Sequence, residues 1–186
     1  MGASIGRGSG AGPRTHGSCD VERQVYGRGG VCQSSDRHRV RAESGKDPDY
    51  QLGAARVEEW EKRHGRISEG AIVLLRTGWA SRWPDVRQYR NQDEQGQMHF
   101  PGFSAEAAKL LIERRVSGLG CDTLSIDHGA SSDYSVHHLA LGAGLYQLEN
   151  LADMSELPER GAFLIVAPIK LQGGSGGPVR VFALLP

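Results

Sequence analysis

The feature that most constrains the fold of this chain is a change in hydrophobic pattern near Ala42, after which short apolar runs alternate with amphipathic stretches. Residues 71–75 form an unbroken apolar run, which is typical of a strand buried on both faces. Residues 104–116 begin with Ser104, a favoured helix N-cap, and carry an apolar stripe at helical spacing. Further strands are predicted near residues 145–149, 162–167 and 179–185, and a further helix is predicted to end near Gly65. This alternation predicts one α/β domain over residues 42–186.

Residues 1–41 differ from the rest of the chain in composition. They are rich in Gly, Arg and Ser, with seven arginines against three acidic residues and few large apolar side chains. Such a segment buries too little apolar surface to offset its ordering entropy, so we expect it to be disordered or loosely attached. One interpretation is that it is non-native, translated from a shifted reading frame or a mis-set start. The alternative is a genuine, divergent tail.

Composition argues against several classes of protein. The arginines of the first 41 residues are not interleaved with aromatic side chains, so no nucleic-acid partner is predicted. No apolar run approaches the roughly 20 residues that span a bilayer, and the N-terminus lacks the apolar stretch of a secretory signal. The three cysteines include no CxxC pair. We therefore expect a cytoplasmic protein with reduced thiols and no membrane partner.

The polar residues that could carry chemistry lie between Asp127 and Glu149. His137 is predicted to open a short helix, and Glu149 is predicted to end the strand that follows. A helix–turn–strand unit can bring its two ends together, and imidazole and carboxylate ligands suit zinc or manganese. By spacing alone, the pair is also compatible with surface or capping roles. Asp127, at the end of a predicted strand, could orient a ligand His or cap the following turn.

Five strings in a fixed order resemble the cyclase family, also called kynurenine formamidase-like. They are RTGW at 76–79, DEQGQMHFPGFSAEAAKLL, DTLSID at 122–127, VHHLALGAGLYQLENL and GGSGGPVRVFALLP. The resemblance runs from about Ala42 to Pro186. It implies a swivelling β/β/α fold, a homo-oligomer, a zinc or manganese cofactor, and hydrolysis of a small aromatic amide such as N-formylkynurenine or isatin.

The resemblance also implies roles for individual residues. His137 and Glu149 match metal ligands of the family pattern. Substrate contacts are expected from an aromatic and polar set that could enclose an aryl ring or orient a ligand: Trp79, His99, Phe100, Phe103 and Asp127. The alternative for Trp79 and the two Phe residues is core packing, because large aromatic side chains are usually buried.

The sequence departs from the family pattern in one respect. The family's HxGTHxDxPxH string, which supplies further metal ligands and a proton-shuttling His, does not occur in this chain. We therefore expect an α/β cyclase-like domain that is incomplete at its N-terminus, with unassigned catalytic residues, weak metal binding and low hydrolase activity. The alternative is a pseudoenzyme that binds a small molecule or acts as an oligomeric scaffold without catalysis.

Overall fold

Nine strands and four α-helices form the described part of the chain, which in this computed structural model comprises residues 3–6, 25–28 and 47–186. The strands are β1 Ala3–Gly6, β2 Val25–Arg28, β3 Gln51–Leu52, β4 Ile72–Leu75, β5 Gly102–Phe103, β6 Gly118–Cys121, β7 Tyr146–Glu149, β8 Phe163–Pro168 and β9 Gly176–Leu184. The helices are α1 Ala54–His64, α2 Val86–Arg90, α3 Ala105–Glu113 and α4 Ser135–Gly142, with a 3-10 helix at Trp79–Arg82.

Seven strands form one mixed sheet in the order β2-β8-β9-β1-β7-β6-β4. Strands β4, β6 and β7 are parallel, and the other pairs in this sheet are antiparallel. Strands β3 and β5 form a separate parallel pair. The predicted α/β class is confirmed. Because β4, β6 and β7 run in the same direction, their carboxyl ends meet at one edge of the sheet.

The parallel strands are buried on both faces. Val73 and Leu75 of β4 belong to the core cluster that includes buried residues of α1, α3 and α4. Ile72 and Leu74 belong to a second cluster, which includes residues of β7, β8 and β9. Alternate residues of β4 therefore face two different cores, and this explains the unbroken apolar run in its sequence. Burial of each such side chain contributes about 1.5–3 kcal/mol to stability.

Helix α3 shows how closely the sequence pattern predicts helix ends. Ser104 caps the helix as expected, because its side-chain oxygen accepts a hydrogen bond from Ala107 N at 3.2 Å. The helix ends at Glu113, earlier than predicted, and Arg115 has a positive φ of 56°. This turn leads Val116 into the core. None of the helices in the described part of the chain is both long and apolar enough to cross a membrane.

The expectation for residues 1–41 can be compared with the structure only at β1 and β2, because the rest of that segment lies outside the described residues. β1 pairs with β7 and β9, and β2 pairs with β8. The expectation that residues 1–41 are disordered or loosely attached stays a prediction. Strand pairing satisfies backbone groups whatever the side chains are, and four residues are too few to show a hydrophobic period.

Gly102 in β5 allows the chain to approach the segment that follows β6. A Cβ atom at this position would lie 2.5 Å from Asp127 C and 2.7 Å from Ile126 O. Because backbone atoms cannot move aside as a flexible side chain can, we expect Gly102→Ala to destabilise the fold by roughly 1–3 kcal/mol. Urea denaturation of the purified variant would measure this change.

The control for that substitution is Gly142→Ala at the end of α4, where a Cβ atom would meet nothing within 4 Å. Alanine favours the helix over glycine by about 0.5–1 kcal/mol, so this variant should be as stable as the original or slightly more stable. Equal unfolding midpoints for the two variants would contradict the prediction.

Candidate active site

The candidate site lies at the carboxyl edge of β4, β6 and β7. Residues 76–82 follow β4, residues 122–127 follow β6, and Glu149 is the last residue of β7. In open α/β sheets, ligands bind in the crevice outside the carboxyl ends of the strands. The sheet therefore brings together segments that are far apart in the sequence, at the position where such folds hold their ligands.

His137 lies between two carboxylates at this edge. Its Nδ1 atom is 2.6 Å from Asp127 Oδ2, and its Nε2 atom is 3.3 Å from Glu149 Oε1. Asp127 is buried and the imidazole is about one-quarter exposed. The structure thus brings His137 and Glu149 together, as the helix–turn–strand pattern predicts, and it places Asp127 behind the ring.

Asp127 both orients His137 and caps its helix. Its Oδ1 accepts a hydrogen bond from Val136 N at 2.8 Å, and its Oδ2 accepts one from His137 N at 3.0 Å. Tyr134, at the N-cap position of α4, has a φ of 48° and makes no side-chain cap. A carboxylate from the segment before the helix therefore satisfies its first N–H groups, where the helix dipole favours negative charge.

The charges of the three groups reinforce one another. Burial opposes protonation of His137, but its hydrogen bonds to Asp127 and Glu149 outweigh burial and raise the pKa of His137 to about 9. Burial would raise the pKa of Asp127, but the imidazole and the helix N–H groups together hold that pKa below its usual value. At neutral pH these hydrogen bonds favour the protonated form of the His137 ring.

The donor set fits one side of a zinc or manganese centre. A metal-binding His usually donates its other ring N–H to a carboxylate, which fixes the tautomer, and Asp127 is placed to accept from Nδ1. His137 Nε2 lies beside the Glu149 side chain and would coordinate an ion there once it has released its proton. Within residues 3–6, 25–28 and 47–186, no group of three or more His, Cys, Asp or Glu residues could hold a metal ion. The pair falls short of the three protein ligands typical of catalytic zinc.

Asp122 is a structural residue of this edge that the sequence analysis did not single out. The carboxylate is buried and accepts hydrogen bonds from Thr77 N, Thr77 Oγ1 and Gly78 N, each at 2.8 Å. Burial raises the pKa of Asp122, although the donors of Thr77 act in the opposite direction. Its position directly after a predicted buried strand was the one sequence feature that could have marked Asp122 as a residue of this edge. Its partners could not be identified because they follow a different strand.

Tyr89 joins this network to the end of β7. Its hydroxyl lies 3.1 Å from Asp122 O and 3.0 Å from Asn150 Oδ1. Burial raises the pKa of Tyr89, so the phenol remains protonated. The nearby Cys121 thiol is fully buried, donates to Ser125 O at 3.3 Å, and also has its pKa raised by burial. Both groups are neutral at physiological pH.

The aromatic residues predicted to contact substrate are buried. Trp79 and Phe100 pack edge to face, with ring centroids 6.5 Å apart, in a small cluster with Tyr89. Phe103 lies in the main core and has no exposed surface. This burial is what the core-packing alternative predicts, and the substrate contacts of these residues stay a prediction.

His99 occupies a separate position on the loop before β5. Its Nδ1 atom is 2.6 Å from Asp49 Oδ2, and its Nε2 atom is 3.3 Å from Asp93 Oδ2. These hydrogen bonds raise the pKa of His99. The imidazole thus links the segment that precedes β3 to the loop of residues 91–99. The role of His99 in substrate binding also stays a prediction.

Sequence comparisons identify relatives of this chain. The protein-family model named Cyclase matches residues 15–128, so the match begins upstream of the boundary predicted near residue 42. An isatin hydrolase from Roseibium aggregatum is 36% identical over 148 residues, which cover 77% of this chain and 56% of that protein. A kynurenine formamidase from Polaromonas naphthalenivorans is 35% identical over 81 residues, covering 44% of this chain and 36% of that protein. The chain thus spans about half or less of each relative's length.

Solved structures agree with this grouping. Isatin hydrolase A from Ralstonia solanacearum matches with a TM-score of 0.85 and 34% identity, covering 99% of this chain and 71% of that one. An isatin hydrolase bound to the product analogue thioisatinate matches with a TM-score of 0.75 and 35% identity, covering 78% and 57%. With the family model matching more than half of its length, this chain belongs to the cyclase family.

Proposed function

We propose that this chain forms the His137–Glu149 side of a metal-dependent hydrolase site that acts on an aryl formamide or a cyclic aryl amide. The observation that carries the proposal is the position of His137 between Asp127 and Glu149 at the carboxyl edge of the parallel strands. The names of the relatives, isatin hydrolase and kynurenine formamidase, support an amide substrate attached to an aromatic ring.

Each of the three residues has a distinct task in this proposal. Asp127 accepts a hydrogen bond from the N–H group at His137 Nδ1 and, through its bonds to the start of α4, fixes the orientation of the ring. His137 Nε2 and a Glu149 oxygen would hold the metal ion, and zinc and manganese are ions that imidazole and carboxylate ligands suit. When bound, such an ion polarises the amide carbonyl and lowers the pKa of water, so that attack can occur near neutral pH. The general acid that protonates the departing nitrogen is not assigned.

We expect the 186-residue chain to bind zinc or manganese weakly and to hydrolyse an aryl formamide slowly or not at all. The two ligands identified in the described part of the chain would hold an ion less firmly than the three of a typical catalytic zinc site. The test is to measure bound metal by elemental analysis and formate release from formanilide, with and without a chelator. Stoichiometric, tightly bound metal with rapid, chelator-sensitive turnover would contradict low activity, and failure to bind either metal would contradict the proposed site.

A second candidate is a pseudoenzyme that binds a small aromatic molecule or serves as a scaffold. The sequence feature that favours it is the lack of the HxGTHxDxPxH string, which in the family pattern supplies further metal ligands. Ligand binding without metal-dependent turnover in the same experiment would support it.

The expectations of a homo-oligomer and of a cytoplasmic location stay predictions. Several exposed apolar side chains at and near β9 are compatible with an oligomer interface. They are Ile169, Leu171, Phe182, Leu184 and Leu185.

A further inference from the structure

Arg82 lies at the same edge of the sheet as the candidate site and stacks on an aromatic ring. It is the last residue of the 3-10 helix that follows β4. Its guanidinium carbon is 3.7 Å from the centre of the Trp79 ring. Trp79 is only 3% exposed, so the guanidinium stacks on an aromatic ring that is packed inside the protein.

The Arg82 guanidinium has no acidic partner among the described residues. The nearest acid in the sequence, Asp85, is engaged by the backbone of α2 and accepts from Arg87 N and Gln88 N. Partial burial lowers the pKa of Arg82, yet a guanidinium remains charged at neutral pH. A partly desolvated, stacked guanidinium that makes no ion pair with any described acidic residue is suited to binding a carboxylate through two parallel hydrogen bonds.

A chain of contacts through Trp79 and Tyr89, both buried, connects Arg82 to the candidate site. Trp79 Nε1 donates to Tyr89 O at 2.8 Å, and the Tyr89 hydroxyl lies 3.0 Å from Asn150 Oδ1. Asn150 directly follows Glu149 in the sequence. The Trp79 ring on which Arg82 stacks is therefore joined through Tyr89 to the residue that follows β7.

We propose that Arg82 binds a carboxylate group of the substrate at a distance from the reacting amide. Arg82 thereby selects aryl formamides that carry an acidic side chain over neutral aryl amides and neutral cyclic amides. The inference rests on the proposed function for its choice of an aryl formamide as ligand. It goes further by assigning the residue that distinguishes charged from neutral substrates.

The test uses two ligands of the same shape and different charge. They are 4-(2-formamidophenyl)-4-oxobutanoate and the corresponding neutral carboxamide. Their affinities for the full 186-residue chain are measured by calorimetry in the presence of a chelator, so that no turnover is needed. We expect the chain to bind the acid at least about tenfold more tightly than the carboxamide, as a charge-assisted bidentate contact implies.

Arg82→Gln should remove this preference. We expect it to weaken binding of the acid by about 10–100-fold while changing binding of the carboxamide by less than about twofold, because only the charged contact is lost. Arg82→Lys keeps the charge without the bidentate geometry and should retain part of the preference. The matched control is Arg87→Gln, which removes the same charge from an exposed position on α2 and should leave both affinities unchanged.

The outcomes separate this inference from the proposed function. Equal losses for both ligands in Arg82→Gln would show that Arg82 only packs on Trp79, and would overturn the inference. It would also be overturned if the unmodified chain bound neither ligand or did not prefer the acid. An Arg82-dependent preference in a chain without hydrolase activity would support the inference while contradicting the hydrolase proposal. Formamide hydrolysis without any preference for the acid over the carboxamide would support the hydrolase proposal and contradict the inference about Arg82.

Discussion

Replacing His137 with alanine should reduce the affinity of the chain for zinc or manganese by about 100-fold or more, because it leaves Glu149 as the remaining member of the pair. Asp127→Asn should have a smaller effect of about 10–100-fold, since it leaves both ligands in place and removes the carboxylate that fixes the His137 tautomer. Titration calorimetry with each metal on the full chain would measure both changes.

The chain provides a matched control for this experiment. His138 is the next residue on α4, and its side chain is exposed. His138→Ala removes an imidazole without touching Asp127 or Glu149, so we expect metal affinity to stay within about twofold, as for surface substitutions away from a site. If His138→Ala weakened metal binding as much as His137→Ala, the ions would be bound at the surface and the proposed site would be incorrect.

The second large effect is expected for Asp122→Ala, which should destabilise the fold by about 3–5 kcal/mol. The substitution removes the carboxylate that accepts hydrogen bonds from two buried donors of Thr77 and from the half-buried N–H of Gly78. It also releases the segment between β4 and the 3-10 helix from the end of β6. For a chain of this size the melting temperature should fall by roughly 10 °C. Thermal unfolding followed by circular dichroism would measure it.

Asp85→Ala is the appropriate comparison, because Asp85 also accepts hydrogen bonds from two backbone N–H groups but lies on the surface. Loss of an exposed helix cap costs about 0.5–2 kcal/mol, since water can replace the lost acceptor. A melting temperature for Asp122→Ala equal to that for Asp85→Ala would mean that the Asp122 network contributes little, contrary to the geometry.

The alternation of apolar runs with amphipathic stretches along the sequence determined the fold class and the position of β4. Val73 and Leu75 face one core while Ile72 and Leu74 face the other, so an unbroken apolar run follows directly from burial on both faces. Ser104 likewise marks the start of α3, because a helix cap acts on N–H groups within a few residues.

The sequence also predicted the proximity of His137 and Glu149, because one short helix and one strand connect them. Their function as metal ligands stays a prediction. The strands β1 and β2 were not predicted, because four residues carry too little pattern to distinguish a strand from a loop. Their place in the sheet depends on strands that lie far along the chain.

The remaining features of the site were decided only by the tertiary structure. Asp122, which follows β6, accepts hydrogen bonds from Thr77 and Gly78, which follow β4. Arg82 stacks on the Trp79 ring, whose Nε1 donates a hydrogen bond to Tyr89 O. Such contacts depend on which strands are neighbours in the sheet, and no periodicity in the sequence encodes strand order. Local spacing therefore determined which elements form, whereas the parallel arrangement of β4, β6 and β7 decided which side chains meet at their ends.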